Sequence, residues 1–338
     1  MLNRTFALRP WSRLDARYDH LNVLATSVNP AGTPVTLLVD AANAAVAQPE
    51  PRGVPFPREQ PYDALLVIGH GGEEAEIPVS GVPYRYPCID AWSGGFAVAK
   101  ARNLAQRDYD PVNGDDSRLP HNVATFDLLG AQNGSFYAGD AIETLSFDEA
   151  GTIWTSYFDE ASAWLPVRQR QGRTETFAFG KARVLVHMPG LIRWNRRGEI
   201  LWAAVHDPMT VDWCDCYALN VGVHRTWACP YTGFPLVDID DAGIRLVRRN
   251  PVRSSGAVAV DESGNRAAFV KAAAERIPGR YVVTECRLAD GPVEPVAAGP
   301  LSMPDGTDPS CWFKRKVARD GRIWVQFEDP RAWYLLEL

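Results

Sequence analysis

Apolar positions along the chain fall into short alternating runs, and a glycine-bearing turn separates one run from the next. Asn22 to Ala25 leads through Gly32 to Val35–Val39, and Pro87–Trp92 leads through Gly94 and Gly95 to Phe96–Val98. Ile142–Phe147 leads through Gly151 to Ile153–Tyr157, and Cys216–Leu219 leads through Gly222 to Trp227. Ala257–Val260 runs through Gly264 to Phe269 and Val270, and Phe313–Val317 runs through Gly321 to Ile323–Phe327. Alternation over runs of this length predicts half-buried strands. The turns NPAG, SGG, DEAG, VGVH, DESG and RDG supply the Gly, Asp and Asn that short hairpins need. Each pair of runs is therefore expected to be an antiparallel hairpin.

A second hairpin follows most of the first ones. The expected turns lie at Gly71–Gly72, near Asn133–Gly134, at Arg197–Gly198, at Ala242–Gly243 and at Asp290–Gly291. Two hairpins in succession make a unit of four antiparallel strands, which is the blade of a β-propeller. The anchor glycines from Gly32 to Gly321 recur about every 58 residues, longer than the ~45 of a minimal blade, so the excess goes to loops. The expected fold is all-β: a six-bladed β-propeller with four antiparallel strands per blade, formed by residues 1–338 as one domain. The last unit lacks a fourth strand, and Phe6–Trp11 is spare at the other end of the chain. It is expected to close the ring beside Ala332–Leu338, removing two exposed sheet edges. A β-sandwich or a β-solenoid is the alternative reading of the same hairpins.

Three connections between second and third strands are long: Ala41–Pro61, Asn103–His121 and Phe158–Gly190. In a propeller all such connections leave the same end of the ring, where they surround the mouth of the central channel. Long loops on a rigid scaffold are disproportionately functional. The segment 158–190 carries its own alternating runs, Glu175–Phe179 and Ala182–Val186, and reads as an inserted hairpin over that mouth. It is also locally basic, with Arg168, Arg170 and Arg173, whereas Asn103–His121 is acidic.

Composition narrows the function classes. The net charge of −6 argues against a nucleic-acid binder. The first residues have no apolar signal-peptide core, and no apolar run reaches the ~18 residues of a membrane span. The six cysteines are scattered and read as free thiols, which points to a cytoplasmic protein. Cys214 and Cys216 flank Asp215, but no second CxxC completes a zinc pattern. No GxSxG, P-loop or GxGxxG is present.

The chemistry-bearing candidates stand at the strand ends nearest the long loops. Glu143 and Asp215 open neighbouring inner strands. Two carboxylates facing one channel would need a shared proton, a cation such as Lys100, Arg102 or Arg253, or a hard divalent ion such as Ca²⁺. The expected ligand site uses Tyr157, Trp164, Tyr217 and Tyr231 as apolar walls, with Glu143, Asp159 and Asp215 as orienting groups. The expected partner is a small polar molecule, bound or turned over by hydrolysis or isomerisation without a redox cofactor. The alternative is a non-catalytic scaffold for another protein, which needs an exposed apolar patch.

The middle third also carries a resemblance. Gly139–Glu143, Gly151–Trp154, Ser156–Glu160, Asp215–Val221 and Tyr231–Val237 resemble a group of uncharacterised bacterial, largely actinomycete, propeller proteins. That implies a fold and no activity. At fold level the chain also resembles six-bladed lactonases of the gluconolactonase type, which set carboxylates and a neutral amide around a divalent metal at the channel mouth. That resemblance implies Glu143, Asp215 and Asn22 as metal ligands.

Overall fold

The computed structural model describes residues 2–48, 60–101, 121–158, 176–179, 182–185, 190–209, 211–273 and 279–338. The chain opens with three short strands, β1 (Leu2–Asn3), β2 (Phe6–Ala7) and β3 (Arg9–Arg13). Blade 1 follows as β4 (Asn22–Val28), β5 (Pro34–Val39), β6 (Tyr62–Ile68) and β7 (Ala75–Val82), with the helix α1 (Ala41–Ala47) between β5 and β6. Blade 2 is β8 (Pro87–Trp92), β9 (Gly95–Lys100), β10 (Val123–Phe126) and β11 (Gln132–Phe136). Blade 3 is β12 (Ile142–Phe147), β13 (Ile153–Tyr157), β16 (Leu191–Trp194) and β17 (Ile200–Ala203); between β13 and β16, β14 (Thr176–Phe179) and β15 (Ala182–Leu185) pair antiparallel as a separate two-stranded sheet. Blade 4 is β18 (Asp215–Val221), β19 (Thr226–Tyr231), β20 (Leu236–Asp240) and β21 (Gly243–Arg248). Blade 5 is β22 (Ala257–Val260), β23 (Arg266–Ala272), β24 (Tyr281–Arg287) and β25 (Glu294–Ser302). Blade 6 takes β26 (Arg315–Arg319), β27 (Arg322–Gln326) and β28 (Ala332–Glu337) from one end of the chain and β3 from the other.

Each inner strand touches the next, from β4 through β8, β12, β18, β22 and β26, and β26 returns to β4. The result is a six-bladed propeller of four-stranded antiparallel blades. Its first-hairpin turns share a construction. Asn29, Asp148 and Asp261 each accept a hydrogen bond on the side chain from a backbone amide four residues on, while the glycine three residues on donates its amide back to the Asx carbonyl. Those glycines, Gly32, Gly151 and Gly264, have φ of 77°, 75° and 70°. Each also lies against a tryptophan of the preceding blade: Trp324, Trp92 and Trp227. A side chain there would be strained by the backbone and, at Gly151, blocked by the indole as well.

One expected turn is corrected. The second hairpin of blade 2 turns at Asp127–Gly130, where Asp127 caps the amides of Leu129 and Ala131. Asn133 and Gly134 lie within β11.

Closure is by the N-terminal strand. β3 pairs antiparallel with β28, placing Arg13 opposite Ala332 and Arg9 opposite Leu335. The pairing begins three residues later than Phe6, because β1 and β2 are used elsewhere. They run parallel to β25 on the outer edge of blade 5 and bury Phe6 and Leu8 beside Leu301. The N-terminus therefore grips two adjacent blades. Burial of two large apolar side chains contributes roughly 1.5–3 kcal/mol each. Deleting residues 1–13 is expected to lower the melting temperature by on the order of 10 °C. An unchanged melting curve would show that closure carries no stability.

Glu337 adds a polar clasp to the same seam. It accepts from Arg322 Nε at 2.8 Å and from Arg9 Nη2 at 3.0 Å, joining β27, β28 and β3. The Arg322 bond, helped by Arg9, holds its carboxyl below the usual value against partial burial. A depressed folded-state value stabilises the fold above the unfolded value and loses that stabilisation as pH falls through the folded one. The Tm difference between the wild type and Glu337→Gln should therefore be constant near neutrality and close as pH drops below about 4.3. The pair is half-exposed, so the difference is expected to be small.

Candidate functional site

The six inner strands leave a channel whose two ends differ. At the turn end, Arg319, the last residue of β26, lies across the axis with its guanidinium buried. Nε donates to Val28 O at 2.8 Å, Nη1 to Phe147 O at 2.7 Å and Val221 O at 3.3 Å, and Nη2 to Asp90 Oδ2 at 2.6 Å. Val28, Phe147 and Val221 are the last residues of β4, β12 and β18, so one side chain caps three inner strands and pairs with a fourth, β8, which lies between β4 and β12. Asp90 is fully buried in β8. Burial pushes its carboxyl above the ordinary value; Arg319, the amides of Phe147 and Ala91 and the hydroxyl of Ser27 pull it back. Asn220 extends the floor by donating to Val258 O of β22 and to Asp320 O.

Above this floor is a well of about 70 Å³ lined by all six inner strands, with Thr26 from β4 and, near the starts of the others, Cys88, Glu143, Cys216, Tyr217, Gly256, Arg315 and Lys316. That volume holds a few waters rather than a drug-sized molecule. Glu143, Tyr217, Arg315 and Lys316 are exposed there. Toward blades 5 and 6 the well shares Glu143, Tyr217, Arg315 and Lys316 with a larger pocket of about 410 Å³, which adds Lys271, Tyr281, Trp312, Phe313 and Lys314. Two aromatic groups flank the opening. Tyr217 meets Phe234 edge-on at 5.2 Å and Tyr231 at 6.0 Å. Tyr281 stacks on Phe313 at 3.8 Å. Cys88 and Cys216 on the well wall are held as thiols, because burial raises both above the usual value.

The sequence-predicted residues separate into groups. Glu143, Tyr217 and Tyr231 are exposed at the mouth. Asp215 begins β18 opposite Tyr231 but is not among the residues lining the well. Tyr157 is a correction: it is fully buried, its hydroxyl donating to Ala138 O at 2.5 Å and accepting from Thr155 Oγ1 at 2.8 Å. It braces blade 3 against blade 2 and offers no wall to a ligand. Asp159 and Trp164 lie outside the described residues. Asn22 lines a different cleft, with Asp19, Gln48 and Arg331. Glu143 and Asn22 line different cavities, and among the described residues no three His, Cys, Asp or Glu side chains converge as metal ligands. The donor set does not fit the divalent ion that the lactonase resemblance implies: one carboxylate shares the well with Arg315 and Lys316. Those two cations, and Arg319 below them, were not singled out in the sequence. All six cysteines are free, and Cys216 spends its thiol on Ala218 O. No helix among the described residues is long and apolar enough to cross a membrane.

No protein-family model matches the chain, and no curated protein matches it in sequence. Solved structures similar to it include hydrazine synthase of Kuenenia stuttgartiensis, with TM-score 0.48 and 11% identity over 93% of this chain and 76% of that one. Virginiamycin B lyase of Staphylococcus aureus gives 0.43 and 9% over 98% and 100%, and a gluconolactonase of Xanthomonas campestris gives 0.40 and 9% over 98% and 95%. At these scores the likeness transfers no activity and no residue. The resemblance to actinomycete propellers finds no counterpart among them.

The floor makes a quantitative expectation. Arg319→Met leaves Asp90 buried without its partner and removes the guanidinium donors to three carbonyls, a class of change that costs about 3–5 kcal/mol. Asp90→Leu on that background should recover part of the loss. Urea unfolding of both single variants and the double variant measures this. Additive losses would show that the two groups do not act as a pair.

Proposed function

We propose that the protein binds a small polar ligand at the open end of its channel, on the face that carries the long connections. The observation that carries this reading is the asymmetry of the channel. One end is sealed by a buried ion pair, while the other presents Glu143, Arg315, Lys316 and Tyr217 from the starts of different inner strands. A concave site on a rigid ring, with aromatic walls and a few convergent polar groups, has the make-up of a ligand pocket. The chemistry such a set serves is proton transfer during hydrolysis or isomerisation, with Glu143 as proton acceptor and the cations stabilising negative charge. The scaffold alternative draws less support. The large apolar side chains exposed among the described residues fall in small groups on different blades, Leu128 with Leu129, Ile200 with Leu201 and Tyr217 with Tyr231.

A ligand that binds only the folded state at 100 times its Kd adds about 2.7 kcal/mol of stability. Thermal denaturation in the presence of neutral sugars, sugar lactones, amino acids, carboxylic acids and sugar phosphates is therefore expected to reveal at least one class that raises Tm. The shift should be lost in both Glu143→Gln and Tyr217→Ala. A panel without any shift, or a shift that survives both substitutions, would place binding elsewhere or nowhere.

A further inference from the structure

The pocket beside the well differs electrostatically from the rest of the protein. The chain carries a net charge of −6, yet the described lining has four cations, Lys271, Lys314, Arg315 and Lys316, against the single carboxylate of Glu143. That leaves three positive charges on one concave wall.

These cations also have no ion pair among the described residues. Several exposed arginines elsewhere do pair, as Arg9 and Arg322 do with Glu337, Arg266 with Glu285 and Arg13 with Asp329. Among the described residues Lys271, Lys314 and Arg315 make no ion pair, and Lys316 makes one contact, from Nζ to Tyr217 O at 3.5 Å. Unpaired like charges gathered in a cavity repel one another and favour an incoming anion.

The apolar side of the pocket is already ordered. Tyr281 and Phe313 stack with their planes 4° apart, and the Phe313 amide donates to Tyr281 Oη at 2.6 Å. Trp312 meets Tyr281 edge-on at 5.6 Å. An aromatic wall fixed in this way loses little freedom when a flat group settles on it. The pocket volume of about 410 Å³ lies within the ordinary range for small-molecule sites.

We propose that this pocket takes a small phosphate monoester, its phosphate among Lys271, Lys314, Arg315 and Lys316 and its organic part against the aromatic wall. A phosphate monoester brings about −1.5 to −2 charges at neutral pH and three acceptor oxygens. That matches a wall of net +3 better than one carboxylate does, and the Arg315 fork suits a phosphate edge. The inference rests on the reading of the channel mouth as a ligand site and names the ligand class.

The test uses the full chain and four probes: phenyl phosphate, inorganic phosphate, benzoate and neutral benzyl alcohol. Binding is followed by thermal shift and by calorimetry at low and moderate salt. Phenyl phosphate is expected to bind at least tenfold more tightly than benzoate, with inorganic phosphate weaker than phenyl phosphate and all three weakened by salt. The triple variant Lys314→Gln/Arg315→Gln/Lys316→Gln should lose phenyl phosphate binding at least tenfold, and Lys271→Gln should weaken it alone. Arg197→Gln, which removes a charge on the turn between β16 and β17, should leave it unchanged. Circular dichroism and the ligand-free melting curve report whether each variant is folded; should the triple variant fail to fold, Lys271→Gln and Lys314→Gln carry the test singly. Phenyl phosphate binding no better than benzyl alcohol, or unchanged by the substitutions, overturns the inference. Should neutral or other polar compounds bind while phosphates do not, the anion inference falls and the mouth remains a ligand site. Should nothing bind, both fall.

Discussion

The ion pair between Arg319 and Asp90 is the constraint on which the ring depends. Burying an ionised pair costs several kcal/mol per ion unless geometry and further hydrogen bonds offset it. Here the offset is complete only when the blades are assembled. The guanidinium finds Val28, Phe147 and Val221 carbonyls on three other blades, and the carboxylate finds the Phe147 amide and the Ser27 hydroxyl on two. A partly assembled set of blades would leave a buried charge or an unmet carbonyl. Such a network contributes less to net stability than to selecting one arrangement, because every alternative packing leaves some of its members unsatisfied. Blade 5 is tied to the same centre by Asn220, whose amide reaches Val258 and the residue after Arg319.

Closing one end of the channel determines where anything can bind. The floor occupies the axis at the short turns, so access is from the opposite end, where the second-to-third strand connections leave the ring. The inner strands that form the well are braced on both sides by neighbouring blades, so Glu143, Arg315 and Tyr217 are displayed from fixed backbone. The side pocket depends on the seam between blades 5 and 6, and the N-terminal segment grips those same two blades through β1, β2 and β3. Phe6 and Leu8 of the N-terminal segment share one hydrophobic cluster with Tyr281, Trp312 and Phe313, so ring closure and the aromatic wall of the pocket draw on the same core.

The hairpins were legible because strand alternation and Asx-x-x-Gly turns are local signals. The position of Phe6 and Leu8 was not, since parallel pairing onto the edge of blade 5 has no local mark. Asn133–Gly134 misled for the opposite reason: it is a strong turn dipeptide, but Asp127 had already made the turn. The exposure of Glu143, Tyr217 and Tyr231 near the channel mouth was readable from strand position, whereas Tyr157 is spent on core hydrogen bonds that alternation alone does not reveal. The floor did leave a trace. Asp90 is a lone acid within the apolar run Pro87–Trp92, and a carboxylate in such a run needs a buried partner. Nothing in the sequence named Arg319 as that partner, because contacts across the ring axis join residues 229 apart in the chain. Arg315 and Lys316 open β26 with Lys314 just before it, and no local pattern in the sequence marks that run as lining a pocket.

Their convergence also resolves an apparent conflict between a net negative protein and a positively lined pocket. Charges more than about 8 Å apart across solvent are largely screened at physiological ionic strength. The overall charge of the chain therefore sets solubility and has little bearing on the potential inside the pocket. What counts there is the first layer of side chains. Arg319, although cationic and on the same strand as Arg315, adds little to that layer, because Asp90 neutralises it at 2.6 Å and both are buried. The sealed floor thereby separates two jobs that one strand performs. Its last residue spends its charge holding the ring together, and its first residues, Arg315 and Lys316, stand exposed at the mouth, where among the described residues they make no ion pair.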